Sequence, residues 1–226
     1  MWRWCPRVRR EYYVLEAGER KAVREEVPGG ALVLGCCNGE RQITAVQRIY
    51  LGADGGKIGY GLDGKMKSTL QKQTLGSLCG TRLLEDGTQR AMGGVTCRLT
   101  GRAASGVLIL CEGADATGPA LLQAVIDPVS GDRLAAVWPC LSTHGLESFR
   151  LTKTEAEWVR GIVIAGDFDK SKAGQRAAAA CGSNMLEQVQ SDEWKSWGGF
   201  DAVDVRICLP DAGVSGELVD EMTAAA

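Results

Sequence analysis

Short apolar runs recur through the second half of the chain, at residues 106–111, 134–141, 161–165 and 201–209. Each run is shorter than a typical globular helix, and its content of Val, Ile and Leu favours a buried strand. Small-residue patterns typical of helices follow two of the runs, at 114–125 and 173–189. Because strands alternate with helices here, we predict a roughly four-stranded parallel sheet flanked by helices in a Rossmann-like α/β domain.

The first half of the chain has a different pattern, which predicts a small, mostly antiparallel β subdomain. Strands are expected at 31–37, 43–51 and 94–100, with a hairpin turn at 53–56, a returning strand at 57–60 and a second hairpin within 81–90. Residues 16–27 are expected to form a short helix. The predicted organisation is therefore an N-terminal arm (1–30), a β-rich subdomain with a basic loop (31–104) and the α/β domain (105–226).

Carboxylates follow two of the predicted parallel strands directly. Glu112 ends the first, and Asp167 and Asp169 follow the third. Sites in open parallel sheets lie beyond the carboxyl ends of the strands, so these three side chains should converge at one edge. Their mutual repulsion is tolerable around a divalent cation, and their oxygen atoms suit Mg2+ or Mn2+. Two plainer interpretations stay open: Glu112 beside a helix cap, and the aspartates as a solvated loop.

Charge and aromatic residues single out two other stretches. The net charge is −2, with a pI of about 5.6, so the whole chain is not a uniformly basic nucleic-acid binder. Residues 1–24 are nevertheless rich in Arg and Lys, and also contain Trp2 and Trp4. This arm either packs on the surface or binds a nucleic-acid strand, because aromatic rings stack on bases and Arg pairs with phosphates. A second basic group contains Lys57, Lys65, Lys67 and Lys72.

The nine cysteines favour reduced thiols and a cytosolic setting. No C-x2-C pair is present, so the spacing does not indicate a zinc site. No apolar run approaches the ~18 residues of a membrane span, and the basic start lacks the apolar stretch of a secretory signal. We expect a soluble, cytoplasmic protein without a membrane partner.

Two motifs resemble those of the Toprim domain, which bacterial-type primases, topoisomerases and some nucleases share. Residues 110–116 (LCEGADA) are similar to its glutamate motif, and 165–174 (AGDFDKSKAG) to its Asp-x-Asp motif. The order, spacing and strand–helix context of the two motifs make the resemblance more specific than either motif alone. It implies that Glu112, Asp167 and Asp169 are catalytic residues that hold Mg2+ or Mn2+. Asp115 is a further possible site residue, although it could instead serve the start of a helix.

The resemblance extends to the Toprim domains of phage, plasmid and integrative-element primases and primase-helicases, over about residues 40–210. Arg48-Ile49-Tyr50-Leu51 with Asp54-Gly55, and Lys72-Gln73-Thr74-Leu75-Gly76, are similar to segments of that group. It implies a DNA primase that synthesises short primers on single-stranded DNA from nucleoside triphosphates, during replication of a mobile element. The residues that would bind nucleotide or template phosphates are Lys72, Lys67 and Arg48, with Lys170 and Lys172 as further possibilities.

Several features limit the resemblance. The zinc-binding module of primases and a helicase P-loop are both absent from the sequence, so a replicative helicase or a zinc-binding module elsewhere is a possible partner. Residues 1–30 have no counterpart in the family. Two alternatives stay open: a Toprim nuclease, in which the same carboxylates activate water, and a non-catalytic nucleic-acid-binding domain of a replication protein. A nuclease has no need of the Lys72 segment as a triphosphate cradle.

Overall fold

The computed structural model describes residues 2–38, 41–56, 58, 72–76, 81–83, 89–91, 95–168 and 170–209. Within them the strands are β1 Trp2–Cys5, β2 Arg9–Glu16, β3 Glu19–Glu26, β4 Ala31–Cys37, β5 Ile43–Tyr50, β6 Lys72–Gly76, β7 Thr81–Leu83, β8 Gln89–Ala91, β9 Val107–Cys111, β10 Ala136–Pro139, β11 Gly161–Ala165 and β12 Asp204–Cys208. The helices are α1 Thr117–Ala124, α2 Thr143–Ser148, α3 Lys153–Ala156, α4 Ala173–Gln190 and α5 Asp192–Ser196.

The chain divides into two compact units. One unit contains Met1–Gly35 and Ala45–Gly76, and the other contains Cys36–Thr44 and Ser77–Ala226. The sheet with strand order β1-β4-β5-β6 belongs largely to the first unit; β1 pairs antiparallel with β4, and β6 with β5. The strands predicted at 31–37 and 43–51 are thus confirmed as β4 and β5. None of the described helices is long and apolar enough to cross a membrane.

The helix predicted at 16–27 is wrong, because this stretch completes an antiparallel hairpin of β2 and β3. Ala17 and Gly18 form its turn with positive φ angles of 53° and 87°, a turn geometry that matches the twist of paired strands. Cross-strand ion pairs hold the ladder, including Arg24 Nε to Glu11 Oε2 at 2.6 Å. Charged residues on both faces of β3 blurred the distinction between a helical and a strand period.

The second unit is built on the predicted parallel sheet. Its strand order is β10-β9-β11-β12, and every neighbouring pair is parallel. Strand β9 is buried from its second residue onward, and β11 is buried at Ile162, Ile164 and Ala165, as expected for strands covered on both faces. The four-stranded parallel prediction is therefore confirmed, as is the helix predicted at 173–189, which is α4.

Helices cover both faces of this sheet. On one face, α1 packs through Leu121 against Ile109 and Val137. On the other face, α2 to α5 contribute to a larger core in which Met185 and Trp194 are fully buried. Between β10 and β11 the chain forms α2 and α3, which Ser142 and Thr152 precede as N-caps. The strand predicted at 94–100 is reduced to a single bridge between Thr96 and Cys37.

Candidate functional site at the carboxyl edge of the parallel sheet

The sheet register brings the first two predicted carboxylates to one edge. Cys111, the last residue of β9, lies opposite Ala165, the last residue of β11. Glu112 therefore leaves its strand one residue before Asp167 leaves the neighbouring one, and adjacent strands are only about 4.8 Å apart. Both side chains are partly exposed. Asp169 lies outside the described residues.

A threonine that the sequence did not single out links the two strand ends. Thr117 Oγ1, on the first residue of α1, donates a hydrogen bond of 2.9 Å to Asp167 Oδ1. One oxygen of Asp167 is thus oriented by a hydroxyl from the segment that follows Glu112. Nothing in the local pattern around Thr117 reveals this contact, because its partner lies 50 residues further along the chain.

Glycines keep the loop after Glu112 compact. The Gly118 amide donates to the carbonyl oxygen of Gly113 at 2.8 Å. A Cβ placed on Gly113 would lie 3.3 Å from Asp115 Oδ1 and 3.4 Å from Thr117 Oγ1. Asp115, a possible site residue from the sequence, therefore has its carboxylate inside this loop, next to the threonine that contacts Asp167.

The backbone of Asp167 is held equally closely. A Cβ on Gly174, in the first turn of α4, would come within 2.4 Å of the Asp167 carbonyl oxygen, so that only glycine allows this approach. The preceding Gly166 donates its amide to the carbonyl of Cys208 at 3.0 Å. The glycine that the sequence placed shortly after the Asp-x-Asp motif thus seats α4 directly against Asp167.

A buried thiol senses both carboxylates. Burial raises the pKa of Cys111, and the negative charges of Asp167 and Glu112 raise it further, together with the neighbouring Cys97. The effect of one charge on the pKa of another group weakens with distance. Both carboxylates therefore lie near the Cys111 thiol, at the same edge of the sheet.

The donor set fits a hard divalent cation. Glu112 and Asp167 provide carboxylate oxygens, which are the ligands that Mg2+ and Mn2+ prefer. Among the residues that the structure describes, no group of three His, Cys, Asp or Glu side chains is arranged to hold a metal. A metal site at this edge would take its further ligands from the Asp169 carboxylate or from water.

The predicted phosphate-binding residues lie in the other unit or on exposed positions. Arg48 is in β5 and Lys72 in β6, where Lys72 pairs with Ile49 and Arg48 with Gln73. Since successive side chains point to opposite faces of a strand, Arg48 and Lys72 lie on opposite faces of this pair. They do not form one cluster, and Lys72 is the first residue of β6.

The two other lysines predicted to bind phosphate lie just before the start of α4. Lys170 and Lys172 are both exposed, and Lys172 precedes the helix in a left-handed conformation with φ of 58°. Lys67 lies outside the described residues. His144 is exposed in α2.

Comparison with known proteins finds similarity to a solved structure but none to a protein family or a curated protein. No protein-family model matches the chain, and no curated protein matches it. Among solved structures, it is similar to a DNA primase domain from Pseudomonas aeruginosa, with 16% sequence identity and a TM-score of 0.39. The match covers 95% of this chain and 52% of that structure, so the chain spans about half its length.

Proposed function

We propose that this chain is the catalytic core of a Toprim-type DNA primase that serves replication of a phage, plasmid or other mobile element. The observation that supports this most is the meeting of Glu112 and Asp167 at the carboxyl edge of adjacent parallel strands, with Thr117 orienting Asp167. That arrangement agrees with the Toprim-like order of motifs in the sequence. The reaction is nucleotidyl transfer from a nucleoside triphosphate to a primer 3′-hydroxyl on single-stranded DNA.

Glu112, Asp167 and Asp169 are the residues that would hold Mg2+ or Mn2+. When bound, the ion would supply charge neutralisation for the triphosphate and acidify the attacking hydroxyl. The protein's own contribution is orientation: the Thr117 hydroxyl occupies one lone pair of Asp167 Oδ1, which leaves Oδ2 directed away from that contact. A carboxylate held in this way loses less rotational freedom when it binds a ligand.

Glu112 has a second possible task, as the group that accepts the proton of the 3′-hydroxyl. Its side chain is partly exposed, so an incoming hydroxyl can reach it. A general base must lie within hydrogen-bond distance of the proton that it removes. Glu112 is either this base or a metal ligand, and replacement by Gln removes the basic group and the negative charge while it keeps the size of the side chain.

We further propose that part of the N-terminal segment binds the single-stranded template. Trp4 is 55% exposed, and Arg3, Arg7 and Arg9 of the same segment are exposed as well. Within the described residues these three arginines form no ion pair, whereas Lys21 and Arg24 in the same unit are paired with glutamates. A segment that carries an exposed indole and several exposed guanidinium groups suits base stacking combined with phosphate contacts.

Primer synthesis is the direct test. The protein is incubated with a single-stranded template, labelled nucleoside triphosphates and Mg2+ or Mn2+, and the products are resolved by size. We expect labelled oligomers from the natural chain and at least a ~100-fold loss for Asp167→Asn and Glu112→Gln, in line with the loss of an electrostatic or acid–base group. Asp132→Asn, which changes an exposed carboxylate between α1 and β10, is the matched control.

The other outcomes separate the alternatives. A shortened template without labelled oligomers would indicate a nuclease that uses the same carboxylates. Retained template binding without either product would indicate a non-catalytic domain. Full synthesis by the double variant Asp167→Asn, Glu112→Gln would overturn the site itself.

A further inference from the structure

Two buried cysteines face each other across a short antiparallel contact in the second unit. Cys37 and Thr96 form an isolated bridge in which each amide donates to the other residue's carbonyl at 2.9 Å. In this register the residue before Cys37 lies opposite the residue after Thr96. These residues are Cys36 and Cys97, which the local sequence gives no reason to pair.

The register of this pair matches that of a disulfide site. Since the bridge at Cys37 is hydrogen-bonded, the next position of a regular antiparallel pair is non-hydrogen-bonded, with Cα atoms about 4.5 Å apart. Disulfides form at Cα separations of about 4.4–6.8 Å, a range that includes this regular separation. The Cys97 amide agrees with this assignment, because it turns away from Cys36 and donates to the Pro139 carbonyl at 2.8 Å.

The two side chains also share a face and a dry environment. Residues opposite each other in an antiparallel pair point to the same side, and Cys36 and Cys97 are 0% and 1% exposed. Burial raises the pKa of Cys97 to about 12, and the nearby Cys36 thiol is the next contribution in the same direction. The adjacent Cys37 points to the opposite face, so it cannot reach Cys97 without a change of register.

We propose that Cys36 and Cys97 are an oxidisable dithiol that closes to a disulfide with a small-molecule disulfide as oxidant. The Cys36 thiolate attacks one sulfur of the oxidant and releases one thiol. Cys97 then loses its proton and attacks the Cys36 sulfur of the mixed disulfide, which releases the second thiol. In sum, two protein thiols and one small disulfide give one protein disulfide and two small thiols, with the protons carried by the released thiols.

Other cysteine pairs in the described chain are less suitable. Cys111 and Cys140 are close along the backbone, since the Cys140 amide donates to the Cys111 carbonyl at 2.7 Å. Their side chains, however, belong to the cores on opposite faces of the parallel sheet. Cys111 also lies near Cys97, and Cys181 near Cys140, but neither of these pairs lies opposite in an antiparallel bridge. Cys36 and Cys97 are the pair that an antiparallel register places opposite each other.

The proposed bond would join the end of β4 to the segment that precedes the parallel sheet. Cys97 is hydrogen-bonded to Pro139, which lies opposite Cys111 in the sheet register. The disulfide would thus anchor a chain segment beside the edge that carries Glu112. Because both thiols are buried and Cys97 is a poor thiolate at neutral pH, oxidation should follow opening of the two bridge hydrogen bonds and be slow. The proposal does not depend on the catalytic function.

Peptide mapping tests the proposal. The full chain is incubated with glutathione disulfide at neutral pH, blocked with an alkylating agent and digested with trypsin. We expect residues 25–41 and 91–98 to appear as one cross-linked species, lighter than the two reduced peptides by two hydrogen atoms, and to separate again after reduction. Cys37→Ser should keep the cross-link, whereas Cys36→Ser and Cys36→Ala should abolish it, with native circular dichroism as the check on folding.

Two results would overturn the proposal. The first is a natural chain that stays fully reduced under conditions in which other protein thiols form mixed disulfides with glutathione. The second is a cross-link that survives in the Cys36 variants and disappears with Cys37→Ser, because this would place the other cysteine opposite Cys97.

Discussion

Thr117 Oγ1 and Asp167 Oδ1 are joined by a hydrogen bond of 2.9 Å that connects the first turn of α1 to the loop after β11. The contact spans two crossover units of the sheet and fixes the rotamer of one of the proposed catalytic carboxylates. A positioning residue of this kind can matter as much as some ligands, because a carboxylate that is free to rotate binds a ligand less well.

Replacing Thr117 by Val, which keeps the shape but removes the hydroxyl, should lower nucleotide incorporation by ~10–100-fold, the usual effect of losing an outer hydrogen bond to a metal ligand. Apparent Mn2+ affinity should fall with it, since Asp167 loses its orienting partner. Thr117→Ser should restore much of both, which a purely structural role for the methyl group would not predict. Equal activity of the Val and natural proteins would show that the hydrogen bond has no catalytic role.

A buried ion pair on the large core face gives a stability prediction. Arg98 Nη2 lies 3.5 Å from Glu155 Oε1, and the Arg98 guanidinium stands 4.1 Å from the centre of the Trp138 ring. Glu155 is 1% exposed. Burial lowers the pKa of Arg98, and Glu155 opposes that shift.

Glu155→Gln keeps the acceptor for the α3 cap but leaves the Arg98 charge uncompensated, so it should lower the free energy of unfolding by ~3–5 kcal/mol. Denaturant unfolding followed by circular dichroism measures this change. The neighbouring exposed Glu157→Gln should change stability by less than about 0.5 kcal/mol. In a double-mutant cycle with Arg98→Met, the paired loss should be smaller than the sum of the single losses; strict additivity would contradict a coupled pair.

The buried thiol of Cys181 should make the folded protein less stable at alkaline pH. Burial raises the pKa of Cys181 to about 12, above its ordinary value near 9. The folded state therefore holds this proton where the unfolded state has released it, and the contribution of Cys181 to stability is complete below about pH 9 and falls as pH rises toward 12.

Cys181→Ala should lower the free energy of unfolding at every pH, because it leaves a small cavity. Between about pH 8 and pH 10.5 its stability should fall less steeply than that of the natural protein, since one buried thiol no longer titrates. Urea unfolding at several pH values measures both slopes. Identical slopes would mean that Cys181 releases its proton equally easily in both states.

If the N-terminal segment binds single-stranded nucleic acid, substitutions of Trp4 and of the exposed arginines should weaken that binding. Trp4→Ala should weaken binding of a single-stranded oligonucleotide by ~1–3 kcal/mol, the range for loss of one stacked base. Arg7→Ala with Arg9→Ala should reduce the steepness of the salt dependence, because fewer counterions are released. Fluorescence anisotropy measures both effects.

Arg24→Ala is the matched control for this surface, since Arg24 is already paired with Glu11. It should leave both the affinity and the salt dependence nearly unchanged. If Arg24→Ala lowered the affinity for the oligonucleotide more than the Arg7 and Arg9 variant did, the nucleic acid would bind near Arg24 instead.

The parallel sheet was predictable because its signal is local. Continuous apolar runs such as 161–165 are typical of parallel strands that are buried on both faces. Carboxylates that directly follow such strands lie at the carboxyl edge of the sheet. The position of Glu112 beside Asp167 follows from strand adjacency alone. Asp169 lies outside the described residues, and the catalytic role of all three carboxylates stays a prediction.

The remaining features depend on partners far along the chain. Strand β3 carries charges at positions compatible with a helix, and its pairing with β2 is decided by the Ala17-Gly18 turn. The contact of Thr117 with Asp167 spans 50 residues and that of Arg98 with Glu155 spans 57, so no local period could reveal them. The same holds for Cys36 and Cys97, which only the strand register brings together.

The proposed metal site is tested by manganese binding at the sheet edge. A crystal of the protein grown or soaked with Mn2+ locates the ion by its anomalous scattering. We expect a peak in contact with carboxylate oxygens of both Glu112 and Asp167, which disappears in Asp167→Asn. Manganese bound elsewhere, with these two carboxylates uncoordinated, would contradict it.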